Sequence, residues 1–415
     1  MSMEPRSTST TVASPVAGAA GFLPACEGLR AAAALGVLVT HVAFQTGSVT
    51  DTMMGRIWGR FDLAVAVFFA LSGFLLWRPH ARSAGAAAAA SPGSTTRYLR
   101  HRIVRIMPAY LVVVIAVLVL LPEAHGASLQ TWLGNLALVQ VFVPYSLTSG
   151  LTQMWSLSVE MAFYLLLPLL AWVLWRLRGP AARWRVPVIA GAALLSLAWG
   201  FLPIPTADGV HHDNWLPGYL AWFAAGMILA EQAIRPPAWA VRLARAPGLM
   251  LALAVIAFAA AASPLAGPPG LVDLVAHEYA AKIAAGALLG YALLAPIVLG
   301  EPGRSHRILA HPVALTLGRW SYALFLWHVA VLMVVFPILG VPPFSGYMLV
   351  VLLLTVAISV PISSISFALV EEPSRRALHA WEERRYGSRL VGQAAMTTAA
   401  TATSASACVE ASSPR

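Results

Sequence analysis

Ten apolar runs separated by polar loops constrain this chain more than any other feature. They lie near 27 to 45, 61 to 77, 106 to 121, 157 to 175, 186 to 202, 215 to 230, 248 to 262, 283 to 299, 320 to 339 and 345 to 369. Hydrocarbon offers backbone N–H and C=O groups no partner, so runs of this length are expected to cross a bilayer as helices, the shorter ones only marginally. A globular core could not hide a chain that is 59% hydrophobic and 11% charged over 415 residues. The expected fold class is all-α, a polytopic integral membrane protein of about ten helices.

Arginines give the orientation. Arg78, Arg82, Arg97, Arg100, Arg102 and Arg105 crowd the second loop, Arg176, Arg178, Arg183 and Arg185 the fourth, Arg235, Arg242 and Arg245 the sixth, and Arg304 and Arg307 the eighth. The odd loops are nearly bare of charge of this sign, with Arg56 and Arg60 in the first and Lys282 at the end of the seventh. By the positive-inside rule the even loops and both termini are expected in the cytoplasm, as in a multi-pass protein of the inner (plasma) membrane. The net charge of +10 is then read as membrane anchoring, and no nucleic-acid partner is expected. The domain reading is a disordered cytoplasmic tail over 1–21, a transmembrane domain over 22–375, a basic amphipathic juxtamembrane segment over 376–390 and a disordered tail over 391–415. Leu129 to Val143, short and carrying Gln130, Asn135 and Gln140, is expected to lie at the outer face without crossing. Cys26 and Cys408 offer neither a disulfide framework nor a metal site.

Ionisable residues inside such runs are expensive and therefore candidates for function. Arg30 and His41 share the first run, and eleven residues are close to three helical turns, so both face one side roughly 16 Å apart. Residue counts from the loops bring His41, Glu160 and His328 to a common depth in the outer half. A His beside a carboxylate is what a general base needs, because the carboxylate fixes the tautomer and stabilises the imidazolium; the plainer alternative is a buried structural pair. Arg30, Arg102 and Arg105 gather at the cytoplasmic end, where guanidinium groups would suit a phosphorylated ligand. Ordinary inner-leaflet anchoring is the alternative for Arg102 and Arg105. His211, His212 and Asp213 read first as a solvated loop and second as an outside substrate contact, and Pro108, Pro168 and Pro296 as helix starts or kinks.

In order along the chain, Arg30 and His41, F-F-A-L-S-G-F-L at 68 to 75, R-I-V-R-I-M-P-A-Y at 102 to 110, W-S-L-S-V-E-M-A-F-Y-L-L-L-P at 155 to 168, S-Y-A-L-F-L-W-H at 321 to 328 and V-E-E-P at 370 to 373 resemble the membrane-bound acyltransferase-3 family. The resemblance covers residues 22 to about 375. It implies an O-acyltransferase in which Arg30, Arg102 and Arg105 hold the phosphates of acyl-CoA, His41 activates the acceptor hydroxyl and Glu160 orients His41. Ser72, Trp155, Ser156, Tyr322 and His328 fall in the same motifs as supporting residues. The family's acidic residue two positions before the Phe-Phe pair is Ala66 here, with Asp62 one turn earlier as its stand-in. No metal and no tightly bound cofactor is implied; acyl-CoA, with acetyl as the expected acyl group, is a co-substrate. The stretches V-L-V-T-H-V-A-F-Q-T-G and F-D-L-A-V-A-V-F-F-A-L-S-G-F-L-L-W-R are similar to the branch associated with acetylation of trehalose monomycolate. The implied partners are acyl-CoA, a lipid- or sugar-hydroxyl acceptor of the cell envelope, the membrane and a lipid exporter, with an antibiotic or other secondary metabolite as the alternative acceptor. The rival from another class is a proton-coupled transporter or lipid flippase, in which His and Glu would relay protons.

Overall fold

The computed structural model describes residues 23–83, 95–270, 272–301 and 304–385. The expected tails over 1–21 and 391–415, and 386–390 of the juxtamembrane segment, lie outside the described residues. Helix α1 (Pro24–Gln45) opens on a proline, whose missing N–H is no loss at a helix start. Thr52 caps the short α2 (Met53–Arg60), which leads through one 3-10 turn into α3 (Ala64–Ser83). Then come α4 (Thr95–Leu120), α5 (Leu129–Leu136), α6 (Trp155–Leu174), α7 (Arg185–Ser196) and α8 (Leu216–Ile234). The chain closes with α9 (Ala238–Ala244), α10 (Pro247–Ala262), α11 (Ala276–Leu299), α12 (Arg304–Leu309), α13 (Pro312–Leu339) and α14 (Met348–Ser366). A π-helical turn, Phe367–Glu371, then carries the last helix on through Arg385.

The fold is an all-α polytopic membrane bundle. Eight of the described helices are long and apolar enough to cross a membrane, and α9 with α10, bent by 86°, makes up to nine. Helix α8 is not among them although it lies at the centre of the bundle, because Glu231 and Gln232 interrupt its apolar run. It packs tightly on α3: a Cβ added at Gly73 would overlap Phe223 O, and one at Gly226 would overlap Ala70 O. Small residues let the two backbones approach in this way. Phe223 then stacks between Phe69 of α3, at 4.4 Å, and Phe163 of α6, at 4.0 Å, tying the three helices together.

The loops sort onto two ends. At one end Arg185 donates to His80 O, Arg235 to Gly179 O, and Arg245 pairs with Glu301, so the second, fourth, sixth and eighth loops meet there. At the other, Phe344 N–H donates to Gln45 O, Arg56 to Gly267 O, and His211 pairs with Asp273, which joins the first, fifth, seventh and ninth. Arg56 and Arg60 break the charge asymmetry for a structural reason. Arg60 is buried and donates to Ala261 O and Ala266 O at 2.6 Å and to Gly267 O at 2.9 Å, so the pair clamps the seventh loop.

Three expectations need correction. The third helix begins at Thr95, about three turns before residue 106, so Arg97, Arg100, Arg102 and Arg105 stand on α4 and not in a loop. Of the two readings given for Pro108, Pro168 and Pro296, the helix start is the one that fails, since all three fall inside helices. Arg185 is no surface anchor: its side chain is 2% exposed and meets Glu231 Oε1 at 3.0 Å, while Trp77 Nε1 donates to the same oxygen at 2.6 Å. The 376–385 part of the juxtamembrane segment docks on α4, where Glu382 accepts from Arg97 at 3.0 Å, from Arg100 at 2.5 Å and from His101 at 3.0 Å.

Residues 121 to 154 form a cap and do not cross. Helix α5, of eight residues, is too short to span. Asn135 at its end accepts from Tyr110 OH at 2.5 Å through its carbonyl and donates to Ser146 O at 2.8 Å. Gln140 donates to Met154 O at 2.9 Å, and Gln153 to Leu326 O at 2.9 Å, which draws the start of α6 down into the bundle.

The buried Glu231 pair gives a stability prediction. Glu231→Ala leaves the Arg185 guanidinium buried without its counter-charge, a loss of about 3–5 kcal/mol. The thermal unfolding midpoint of the detergent-solubilised protein is expected to fall clearly, whereas Arg235→Ala, at an exposed position nearby, should move it little.

Candidate active site

The two histidines meet. His41 Nδ1 lies 2.8 Å from Val37 O, one turn back on α1, and 3.3 Å from His328 Nε2 on α13. His328 is buried, and its own Nδ1 lies 2.8 Å from Phe325 O and 3.1 Å from Leu324 O. A carbonyl can only accept, so in both neutral rings the hydrogen-bond network assigns the proton to Nδ1. His328 Nε2 is then a lone pair facing the His41 N–H, and the lone pair of His41 is left at Nε2, on a side chain that is only half-buried. The rings meet edge to face, 5.0 Å apart at 67°. The expectation that His328 climbs to the level of His41 is met by direct contact.

Glu160 is elsewhere. It accepts from Ser72 Oγ and Tyr164 OH, both at 2.5 Å, and lines a pocket with Arg30 and Arg105. The depth reckoning failed because α6 does not begin at the membrane surface. Gln153, just before it, is bonded to Leu326 O, so the helix starts at the level of the histidines and Glu160 lies more than a turn below them. Of the carboxylates, Asp62 rather than Glu160 stands on the His41 side. Asp62 pairs with Lys282 Nζ at 2.6 Å. Ala66 is fully buried.

The pocket is walled by α1, α3, α4, α6 and α13. Ser72, Ser156, Tyr322, Phe68 and Phe325 line it beside Arg30, Arg105 and Glu160. Tyr322 OH donates to Ile106 O at 2.9 Å, which fixes α13 to α4 across the pocket wall. Arg30 holds Glu27 at 3.4 Å. Arg105 stands close enough to Arg30, Arg102, Glu371 and Arg375 to act on each electrostatically. Arg102 does not line the pocket; its guanidinium lies 6.0 Å from the Tyr164 ring, and its Nε is buried with no partner. Trp155 also stands outside, packed on Tyr219 at 5.0 Å. Sequence reasoning missed Tyr164, although its place four residues after Glu160 puts both on one helix face, and it missed the ion pair of Lys282 with Asp62.

An imidazole with a defined lone pair, three turns along α1 from an arginine-lined pocket, can move a proton near a bound anion. The family described as an acyltransferase domain matches residues 23–364. The chain belongs to the acyltransferase-3 family. Over 335 residues it is 30% identical to the acyltransferase MdmB of Streptomyces mycarofaciens, covering 75% of this chain and 79% of that one. Over 389 residues it is 24% identical to the peptidoglycan O-acetyltransferase OatA of Listeria monocytogenes serovar 1/2a, covering 86% of this chain and 56% of OatA. No solved structure matches. As an acyltransferase-3 protein, the chain is an O-acyltransferase, and this displaces the transporter reading.

The tautomer assignment is testable. His328→Phe keeps a ring but removes the acceptor for His41 Nδ1–H, so turnover is expected to drop roughly tenfold, short of the ~10²–10⁴ that loss of a general base costs. A double variant with His41→Ala should be no slower than His41→Ala alone, as steady-state rates on the purified proteins would show.

Proposed function

We propose that this O-acyltransferase moves an acyl group, acetyl by preference, from cytoplasmic acyl-CoA to a hydroxyl of an envelope glycolipid or glycan. The observation that carries the reading is the free Nε2 of His41 standing on the same α1 face as Arg30, roughly 16 Å away by helix geometry. That distance is on the scale of an extended pantetheine arm. Arg30 and Arg105 would take the CoA phosphates, with Arg102 beside them; guanidinium forks suit phosphate oxygens.

On this reading the chemistry is a base-assisted acyl transfer. His41 Nε2 takes the proton of the acceptor hydroxyl as its oxygen bonds to the thioester carbonyl carbon, and the C–S bond breaks. The imidazolium returns the proton to the departing CoA thiolate, leaving an ester and free CoA. Asp62 stabilises the imidazolium through its charge, and His328 holds the ring. Glu160 serves the donor end, where it balances the arginines and leaves their donors ordered between ligands.

For the acceptor, trehalose monomycolate is the candidate among glycolipids. Peptidoglycan comes into the same class because a relative is named for acetylating it, and an antibiotic or other secondary metabolite is the alternative. The arginine-rich end, with both chain termini, is assigned to the cytoplasm, and a lipid exporter is the expected partner that would consume an acylated lipid. The test is release of CoA thiol by protein in proteoliposomes given acetyl-CoA on one side, followed by lipid and glycan profiling of a deletion strain. Absence of both thiol release and any missing ester would end the reading.

Two variants separate the sites. His41→Ala should lower turnover by about 10²–10⁴ with the protein still folded. Arg30→Lys keeps charge but loses the fork, at a cost of about 1.5–3 kcal/mol per lost bond, roughly ten- to a hundredfold in donor affinity. Titration of acetyl-CoA at fixed acceptor, then the reverse, should show the shift in the donor curve alone.

A further inference from the structure

The pocket stops short of the histidines, and two rings stand where it ends. On α13, Ser321, Tyr322 and Phe325 line it, while His328, one turn further, does not. On α1 only Arg30 lines it. Phe325 meets Phe68 of α3 edge-on at 6.3 Å and lies 5.9 Å from the His328 ring, so it touches the arginine pocket on one side and the histidine pair on the other. The apolar cluster of Ala34, Leu38, Val42 and Leu324 packs against Phe68, so a route from pocket to His41 skirts the edges of the two rings.

We infer that Phe68 and Phe325 form the wall against which the acyl group of the donor is measured, so that the enzyme selects short acyl chains. The inference rests on the reading that acyl-CoA binds with its phosphates at Arg30 and Arg105. A donor anchored there must bring its thioester carbonyl past the edge of the two rings toward His41, and its acyl chain is what then lies against them. An acetyl group adds one methyl beyond the carbonyl; each further methylene needs room that the ring edges occupy. Phe325 is buried and packed on both sides, so it cannot swing aside without opening the core, whereas Phe68 is half-buried and is the ring that can be changed with least damage.

The experiment measures binding of non-hydrolysable thioether analogues of acetyl-, butyryl- and octanoyl-CoA to purified protein in lipid nanodiscs, which needs no acceptor. The unaltered protein is expected to bind the acetyl analogue at least about tenfold more tightly than the octanoyl one, since single methylenes discriminate by about tenfold or more in a closed pocket. Phe68→Ala and the milder Phe325→Leu should each shrink that ratio by about tenfold or more, and Phe68→Trp, which adds bulk, should widen it. Phe163→Leu, which thins the core outside the pocket, should leave it unchanged. An unaltered protein that binds all lengths equally, or Phe68 variants with the original ratio, overturns the ring wall and spares the donor reading. An unaltered protein that binds none of the analogues overturns the donor reading, and the ring wall falls with it.

Discussion

Nδ1 of His41 is the atom on which the arrangement turns. Inside a bilayer a polar atom without a partner is costly, and an imidazole carries two nitrogens that cannot both be satisfied by carbonyls. The fold gives one of them two acceptors, Val37 O and His328 Nε2, and gives His328 carbonyls of its own, so the proton positions run in one sense from α13 to α1. What remains is a lone pair in a known place. Helices α1 and α13 must be adjacent and in register for this, and the cap over 121 to 154 holds α13 by bonding Gln153 to its backbone two residues before His328.

The charges are separated along the axis by the same packing. Glu160 stays with the arginines and takes two hydroxyl donors, which keeps a carboxylate tolerable in the bundle. Asp62 stays with Lys282, outside the arginine pocket. The division leaves one carboxylate among the arginines of the pocket and another at a lysine outside it.

Much of this was legible in the residues. Helical spacing alone related Arg30 to His41, and loop arginines alone sorted the loops onto two ends. Depth counting found His328, because α13 is a long uninterrupted helix that begins near an end of the bundle. The same counting misplaced Glu160, since nothing in the run after Trp155 says that α6 begins below a folded cap. Arg185 and Arg60 looked like surface charge because a sequence shows where a basic residue is and not which buried oxygen it reaches. Tyr164, Phe68 and Phe325 drew no assignment of their own, for an aromatic residue in an apolar run carries no mark of the neighbour it will face.

Glu382 sits beyond residue 364, where the family match ends, yet it grips the first turns of the helix that carries Arg102 and Arg105. A premature stop between those points would delete none of the residues that wall the pocket. It would cut the mooring of α4 and let its inner end drift. A lesion between residues 364 and 382 would therefore look, in an activity screen, like damage to the pocket itself.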